Sequence, residues 1–176
     1  MRSFNISCLE NVKNLRMRSC KNISKISMPQ LTNLSITRCC EIDNSWIEGL
    51  KKIKTLEICE FNMITDVNNL MCLEEFKASC VSNITDYGIS GLKLLKKLDV
   101  SGNYKITNIN HLIHLEELSI FGNCGVGNYG ISQLKNIKKL NVGYNDKISD
   151  INHMVHLEQL DMSGTCGLTD VGIGQL

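Results

Sequence analysis

An internal repeat of about 20 residues runs through the chain and constrains its fold more than any other feature. Eight segments share the order apolar-x-x-apolar-x-apolar; they begin at Val12, Leu31, Ile53, Leu73, Leu95, Leu115, Ile137 and Leu157. Successive starts are 19, 22, 20, 22, 20, 22 and 20 residues apart, so short and long units alternate. We name each unit by its first residue. A chain built in this way is expected to fold by stacking similar units.

Within each unit, the alternating apolar segment predicts a short strand with one face in the core. One unit cannot bury that face alone, but neighbouring units can if their strands form one parallel sheet with roughly 4.8 Å between strands. The segment that returns to the next strand is too short for a full crossover helix. We therefore expect a single helical or 3₁₀ turn there. Small polar pairs are expected to cap these turns: Thr65-Asp66, Thr85-Asp86, Ser149-Asp150 and Thr169-Asp170.

These units resemble the leucine-rich repeat family over essentially the whole chain. Asn103, Asn123 and Asn145 stand at the family's ladder position. The short units resemble internalin-type and SDS22-type repeats, and the long units resemble the cysteine-containing repeats of F-box proteins, as in residues 84–89. The resemblance implies an α/β fold: a right-handed solenoid with one parallel sheet on its concave face and short helices or 3₁₀ turns on its convex face. It also implies a general binding role and no named activity.

The length of 176 residues suits a single leucine-rich repeat domain over residues 1–176, with about eight repeats of 19–22 residues. Neither end shows the polar cap that usually covers the last repeat of a solenoid. Ile6-Ser7-Cys8-Leu9 matches the tail of a unit, and Leu176 matches Leu92 and Leu134, which precede a strand. Three interpretations stay open: a fragment of a longer repeat protein, end-to-end self-association through the open edges, or an unrecognised cap.

Composition indicates an intracellular setting. No apolar run approaches the roughly 18 residues that span a bilayer, and residues 1–6 do not form the apolar core of a secretion signal. The nine cysteines are odd in number and several recur at the repeat spacing. We expect reduced structural thiols and a cytoplasmic protein, with disulfide or metal binding as the alternative.

The motifs of catalysis are missing from the sequence. It contains no Gly-rich phosphate loop before a Lys, no G-x-S-x-G and no H-E-x-x-H, so we expect no enzyme activity and no cofactor. The four histidines form two H-x-x-H pairs, at His111 and His114 and at His153 and His156. The repeat itself explains their recurrence, and a zinc site would need further ligands, so no metal site is predicted.

The outward positions of the strands are the expected site of function, because the sheet presents them as one concave surface. Adjacent strands alternate in charge and are expected to pair across the sheet at Lys96-Lys97, Glu116-Glu117, Lys138-Lys139 and Glu158-Gln159. The less regular positions are the better candidates for binding a partner; they are Arg16, Arg18, Arg38, Glu57, Glu60, Lys77, Asp99, Phe121, Tyr144 and Asp161. Phe121 and Tyr144 are expected to be exposed anchors, although scattered exposed aromatic residues need no function.

Charge is polarised along the chain. Residues 1–40 carry a net charge of +6, whereas residues 41–176 carry −5. Arg16, Arg18 and Arg38 should lie close together and attract an acidic protein segment. Nucleic acid is the less favoured partner because no aromatic side chains are interleaved with them. The hypothesis is a non-enzymatic scaffold that binds a protein through its concave face. The alternatives are the substrate-recognition part of a ubiquitin-ligase assembly and a fragment of an internalin-like adhesin or receptor.

Overall fold

A computed structural model describes residues 9–23, 28–60, 63–80 and 82–176. Eight parallel strands form one sheet in chain order; they are β1 (Asn14–Arg18), β2 (Asn33–Thr37), β3 (Thr55–Cys59), β4 (Glu75–Lys77), β5 (Lys97–Asp99), β6 (Glu117–Ser119), β7 (Lys139–Asn141) and β8 (Gln159–Asp161). The strands β4 to β8 lie inside predicted segments, and β1 to β3 each end one residue beyond theirs. The parallel solenoid is therefore confirmed. The assignment of residues 1–176 to one domain stays a prediction, and Arg2, Cys8 and Lys25 lie outside the described residues.

The core fills the space behind the sheet. The three-residue strands β4 to β7 turn their central side chain inwards, and Leu34 of β2 and Leu56 of β3 lie in the same register, so Leu34, Leu56, Phe76, Leu98, Leu118 and Leu140 form a continuous buried row. In β8, the last strand, Leu160 of the same row is only half-buried. Burial at each step depends on the next unit, as the repeat predicts.

Short helices form in the long units. They are α1 (Asn44–Ile47), α2 (Asp86–Ile89), α3 (Asn128–Ile131) and α4 (Asp170–Ile173), each a single turn. Among the described residues, the short units return through turns instead. A glycine in α2, α3 and α4 lets the helix approach the preceding unit: a Cβ at Gly130 would lie 2.1 Å from the carbonyl oxygen of Thr107. These helices fit against the preceding unit because glycine places no side chain where the helix meets that unit's carbonyl oxygen.

The predicted caps are only partly correct. Thr85 and Thr169 do occupy N-cap positions, but neither side chain makes a capping hydrogen bond. In α1 the carboxylate of Asp43 caps the helix by accepting a hydrogen bond from the Trp46 N–H. The residue after the cap position instead connects units, since Asn44, Asp86 and Asn128 each accept hydrogen bonds from two backbone N–H groups of the following unit. These side chains bind consecutive units together.

The prediction for Asn123 is wrong. Asn103 and Asn145 are buried, as expected, and the side chain of Asn145 donates to the carbonyl groups of Ile120 and Val126. Asn123, however, is exposed, and Cys124 takes the buried place. The turn geometry is the reason. Asn103 N–H bonds three residues back to Val100, whereas Cys124 N–H bonds two residues back to Gly122, which shifts the inward position by one residue.

Candidate protein-binding face

The outward side of the sheet carries two rows of side chains that follow the strand register. The central row consists of Arg16, Ser35, Glu57, Lys77, Asp99, Ser119, Asn141 and Asp161. The rim row follows two residues later and consists of Arg18, Thr37, Cys59, Ser79, Ser101, Phe121, Gly143 and Ser163. Parallel pairing in chain order therefore arranges residues from eight units side by side on one face.

The predicted charge pairing along this face is confirmed for the strands from β5 to β7, whereas Glu158 makes no ion pair among the described residues. Glu74 lies between Lys54 and Lys96, with carboxylate–ammonium distances of 2.9 and 3.1 Å. Lys97 lies between Glu75 and Glu117 at 3.3 and 3.6 Å. Two further pairs follow, Lys138–Glu116 at 2.8 Å and Lys139–Glu117 at 3.1 Å. We call this series of ion pairs across neighbouring strands the ion-pair ladder. These charges are compensated between neighbours, which fixes strand order at the surface.

The pairing moves the protonation equilibria of the ladder. The hydrogen bond from Lys54, followed by that from Lys96, holds the pKa of Glu74 below its ordinary value. The Lys138 ammonium lowers the pKa of Glu116 in the same way. Conversely, hydrogen bonds to carboxylates raise the pKa of Lys54 and of Lys138. Both members of each pair are therefore charged at neutral pH.

The three arginines of the predicted basic patch lie on or directly after the first two strands, and their charges are not equivalent. Arg16 and Arg18 are exposed on β1, and neither makes an ion pair among the described residues. Arg38 follows β2 and pairs with Glu60 at 2.7 Å, which raises the pKa of the Arg38 guanidinium. The free positive charge of the patch is thus concentrated on Arg16 and Arg18. The Arg38–Glu60 pair links two of the predicted site residues to each other.

The central row divides into a paired part and an unpaired part. Glu57 accepts a hydrogen bond from the Ser35 hydroxyl at 2.9 Å, and Lys77 lies 3.5 Å from Asp99. At the other end of the row, the Asp161 carboxylate accepts only the Ser163 N–H, at 3.0 Å. Of the predicted acidic site residues, Glu60 and Asp99 therefore have a cationic partner, whereas Glu57 and Asp161 make no ion pair within the described part of the chain.

A backbone feature next to the rim row escaped prediction. In each unit the residue after the rim row has a positive φ; these residues are Ser19, Arg38, Glu60, Cys80, Gly102, Gly122, Tyr144 and Gly164. Non-glycine residues are strained in this region, by about 1–2 kcal/mol. Three predicted site residues, Arg38, Glu60 and Tyr144, occupy this left-handed position. The glycines at the same offset in three units were the sequence signal that identifies it.

Phe121 and Tyr144 are exposed, as expected, and they also contact each other. Their ring centroids are 5.4 Å apart with the planes at 70°, an edge-to-face contact. Gly143 and Gly164 make room for the rings. The sequence predicted each aromatic residue separately, and the glycines of the neighbouring units were the unused signal for the pair.

The histidines have a structural role on the other side of the molecule. Nε2 of His111 lies 3.0 Å from the Ile89 carbonyl oxygen, and Nε2 of His153 lies 3.0 Å from that of Ile131. Ile89 and Ile131 are the last residues of α2 and α3, so each imidazole provides a hydrogen-bond partner for a carbonyl group at the C-terminus of a helix in the preceding unit. No cluster of metal-ligating side chains occurs within the four described ranges.

The cysteines of the described ranges are thiols. Burial raises the pKa of Cys39 and of Cys124, which lie in the core, and Cys59 shares a contact of 3.1 Å with the Ser79 hydroxyl in the rim row. Across the same ranges, every helix is too short and too polar to cross a membrane.

The comparisons with known proteins agree with this architecture. A family model described as Leucine Rich repeat matches residues 153–176. Internalin C2 of Listeria monocytogenes is similar in structure, with a TM-score of 0.67 and 21% identity over 88% of this chain and 73% of that one. Internalin F of the same organism gives 0.66 and 18% identity over 96% of this chain and 60% of that one.

A plant peptide hormone receptor, RGFR1, solved in complex with RGF2, is similar at a TM-score of 0.50 with 15% identity over 86% of this chain and 26% of that one. No protein of curated function matches the sequence. At these identities the likeness concerns the fold, and the chain has the leucine-rich repeat fold. The kinship of the long units with F-box proteins stays a prediction.

Proposed function

We propose that this leucine-rich repeat solenoid binds another protein through the outward face of its sheet and catalyses no reaction. The observation that carries the proposal is the uncovered face itself: eight strands present the central and rim rows side by side, while the row of Leu34, Leu56, Phe76, Leu98, Leu118 and Leu140 fills the core behind them. The plant receptor of similar fold was solved with a peptide partner, which supports a protein ligand. Interaction modules of this kind use such repeated surfaces.

The basic patch is the proposed docking point for an acidic segment of the partner. Arg16 and Arg18 are exposed and lack a carboxylate partner among the described residues. Both arginines lie on β1, so their positive charges are at the first end of the face, whereas residues 41–176 carry a net negative charge. Complementary charge steers an acidic segment to this end and fixes its register.

A charge reversal tests the proposal. Replacement of Arg16, Arg18 and Arg38 together by Glu should abolish capture of the partner from the native cell, identified by mass spectrometry. Arg16→Glu with Arg18→Glu should account for most of the loss, because Arg38 is already paired with Glu60. The matched control is Lys51→Glu with Lys93→Glu, two exposed lysines outside the strands. Equal capture by the arginine variants and the control would refute the role of the patch.

The cytoplasm is the compartment we propose. Cys39 and Cys124 fill core positions as thiols, and such thiols persist under reducing conditions. The second candidate function is part of an internalin-like surface protein, supported by the two internalins of similar fold. A secretion signal upstream of Met1 in the gene would decide for it. The ubiquitin-ligase hypothesis rests only on the resemblance of the long units.

Self-association is a further hypothesis for the edge of the sheet. Leu160 is half-buried and Met162 is 39% exposed, whereas their equivalents Leu140 and Val142 in the preceding unit are buried. A second copy would cover these side chains. Light scattering over a range of concentrations tests this: growth of the apparent mass supports it, and a constant monomer mass contradicts it.

A further inference from the structure

The aromatic pair forms a solvent-facing platform at the rim of the sheet. Phe121 is 38% exposed and Tyr144 is 56% exposed, although each ring contacts the other. Phe121 belongs to the rim row, and Tyr144 follows the rim row in the next unit. The two rings therefore bridge the units that contain β6 and β7.

The backbone of the following unit holds each ring in place. A Cβ at Gly164 would lie 2.4 Å from two carbon atoms of the Tyr144 ring, and a Cβ at Gly143 would lie 3.1 Å from Cδ2 of Phe121. The rings thus rest where the chain has no side chains. Tyr144 also has φ of +57°, in the left-handed position that glycine fills in three other units.

The last two units carry an excess of negative charge. Residues 141–176 contain five acidic side chains and one lysine, and Asp161 is the acidic residue that lies in a strand there. The ion pairs within the described residues all join residues between 38 and 139. The middle of the face is therefore an ion-paired stretch, and Asp161 lies beyond it.

Asp161 carries a carboxylate on β8, the strand beside the one that Tyr144 follows. It pairs in register with Asn141, two residues before Gly143, and its Oδ1 accepts the Ser163 N–H. The Ser163 carbonyl group in turn accepts the Tyr144 N–H at 3.0 Å, and the place of a Cβ on Gly143 lies 2.8 Å from the Ser163 hydroxyl. A carboxylate without an ion pair, on the strand next to two exposed aromatic rings, is suited to a cation, which gains from ring faces and from the carboxylate together.

We infer that Phe121, Tyr144 and Asp161 bind a basic side chain of the partner, with Arg favoured over Lys because a planar guanidinium stacks on rings and bonds a carboxylate through two N–H groups. This inference rests on the proposed function and gives the bound segment a direction. Its acidic part lies over Arg16 and Arg18, and its basic side chain lies over β7 and β8. Six strand spacings of about 4.8 Å separate the two sites, a distance that about nine extended residues cover.

The test is a selection of random 12-residue peptides displayed on phage, with the whole chain as bait. The best peptides are synthesised with a fluorescent label, and their dissociation constants are measured by anisotropy. We expect the selected peptides to be enriched in Arg or Lys. Asp161→Asn and Tyr144→Gly should each weaken their binding about fivefold to thirtyfold, the range expected for a cation–aromatic contact.

Matched variants separate this effect from damage to the fold. Asp161→Asn keeps an oxygen that accepts the Ser163 N–H, and glycine is already used at the Tyr144 position in three units. The control is Asp150→Asn, since Oδ1 of Asp150 likewise accepts the N–H two residues on, at 3.0 Å. It should leave the dissociation constant within twofold. Replacing the basic residue of the peptide by norleucine should cause a loss at least as large as that of Asp161→Asn, and Asp161→Asn should weaken the norleucine peptide little further.

The outcomes distinguish the two proposals. Peptides that bind the patch, and are lost with Arg16→Glu and Arg18→Glu, but contain no enriched basic residue would overturn the inference and leave the proposed function standing. Basic peptides indifferent to Asp161→Asn would also overturn it. A selection that enriches no peptide at all contradicts both.

Discussion

The carboxylate of Asp86 accepts hydrogen bonds from the backbone N–H and from the hydroxyl of Thr107, 21 residues further along the chain, both at 2.7 Å. It also accepts the Asn108 N–H at 3.2 Å. Asp86→Ala leaves these donors without a partner and should lower the free energy of unfolding by about 1–3 kcal/mol. Urea denaturation followed by circular dichroism measures this.

Two matched variants sharpen the prediction for Asp86. Asp86→Asn should be tolerated within about 0.5 kcal/mol, because Asn44 and Asn128 make the same bonds at the same place in their units. Asp170 is the equivalent of Asp86 in α4, and its side chain has no such partner among the described residues. Asp170→Ala should therefore leave stability unchanged, and a loss equal to that of Asp86→Ala would refute the account of unit binding.

Glycine in α3 sets the distance between units. Because a Cβ at Gly130 would lie 2.1 Å from the Thr107 carbonyl oxygen, Gly130→Ala must push the two units apart. We expect a loss of about 1–3 kcal/mol in the free energy of unfolding. Gly49→Ala is the control, since nothing lies within 4 Å of its Cβ position. This control should be neutral or slightly stabilising, and an equal loss in both variants would contradict the proposed contact.

Thiol reactivity should differ sharply between neighbours in sequence. Cys39 is buried and Cys40 is exposed. Because burial raises the pKa of the Cys39 thiol, little reactive thiolate forms there. With iodoacetamide at pH 8, Cys40 should be alkylated first, and Cys39 only when the chain unfolds. Tandem mass spectrometry of the peptide that holds both residues reads the order, and simultaneous modification would contradict the burial of Cys39.

Acid should weaken the ion-pair ladder. The folded-state pKa of Glu74 lies below its ordinary value of 4.5, so the pair stabilises the fold above that pH and loses its effect as the pH falls through the lower folded-state pKa. Glu74→Gln should therefore be less stable than the natural chain at neutral pH and equal to it in strong acid. Urea midpoints between pH 7 and pH 2 measure the difference, which salt should reduce.

The control for the ladder is Glu158→Gln. Glu158 is exposed, carries the same charge in the same part of its unit and makes no ion pair among the described residues. Its substitution should change the midpoint less than Glu74→Gln does at neutral pH. If both substitutions shift the midpoint equally, then the Lys54–Glu74–Lys96 contacts do not contribute.

The strands, the sheet and the charge ladder follow from the sequence because the repeat fixes their register. The Leu95 segment predicted a strand, and Lys97–Asp99 forms one. Lys97 and Glu117 are equivalent in neighbouring units, so their pairing needs no other information. Local periodicity decides both features.

Features that depend on turn geometry were beyond the sequence pattern. Asn123 aligns with Asn103, yet a bond two residues back rather than three turns it outwards. Arg38 and Glu60 align with glycines of other units, and both have a left-handed backbone. Because they are charged residues, the sequence pattern indicated neither this conformation nor the ion pair between them. The contact between Phe121 and Tyr144 depends on space left by Gly143 and Gly164, which no strand pattern records.

An amide NMR titration of the labelled chain with a selected peptide shows which face of the solenoid binds. Shift changes should cluster at the central and rim rows, from Arg16 and Arg18 to Phe121, Tyr144 and Asp161. Changes confined to the short helices behind the sheet, such as Tyr87 in α2 and Tyr129 in α3, would contradict binding through the outward face.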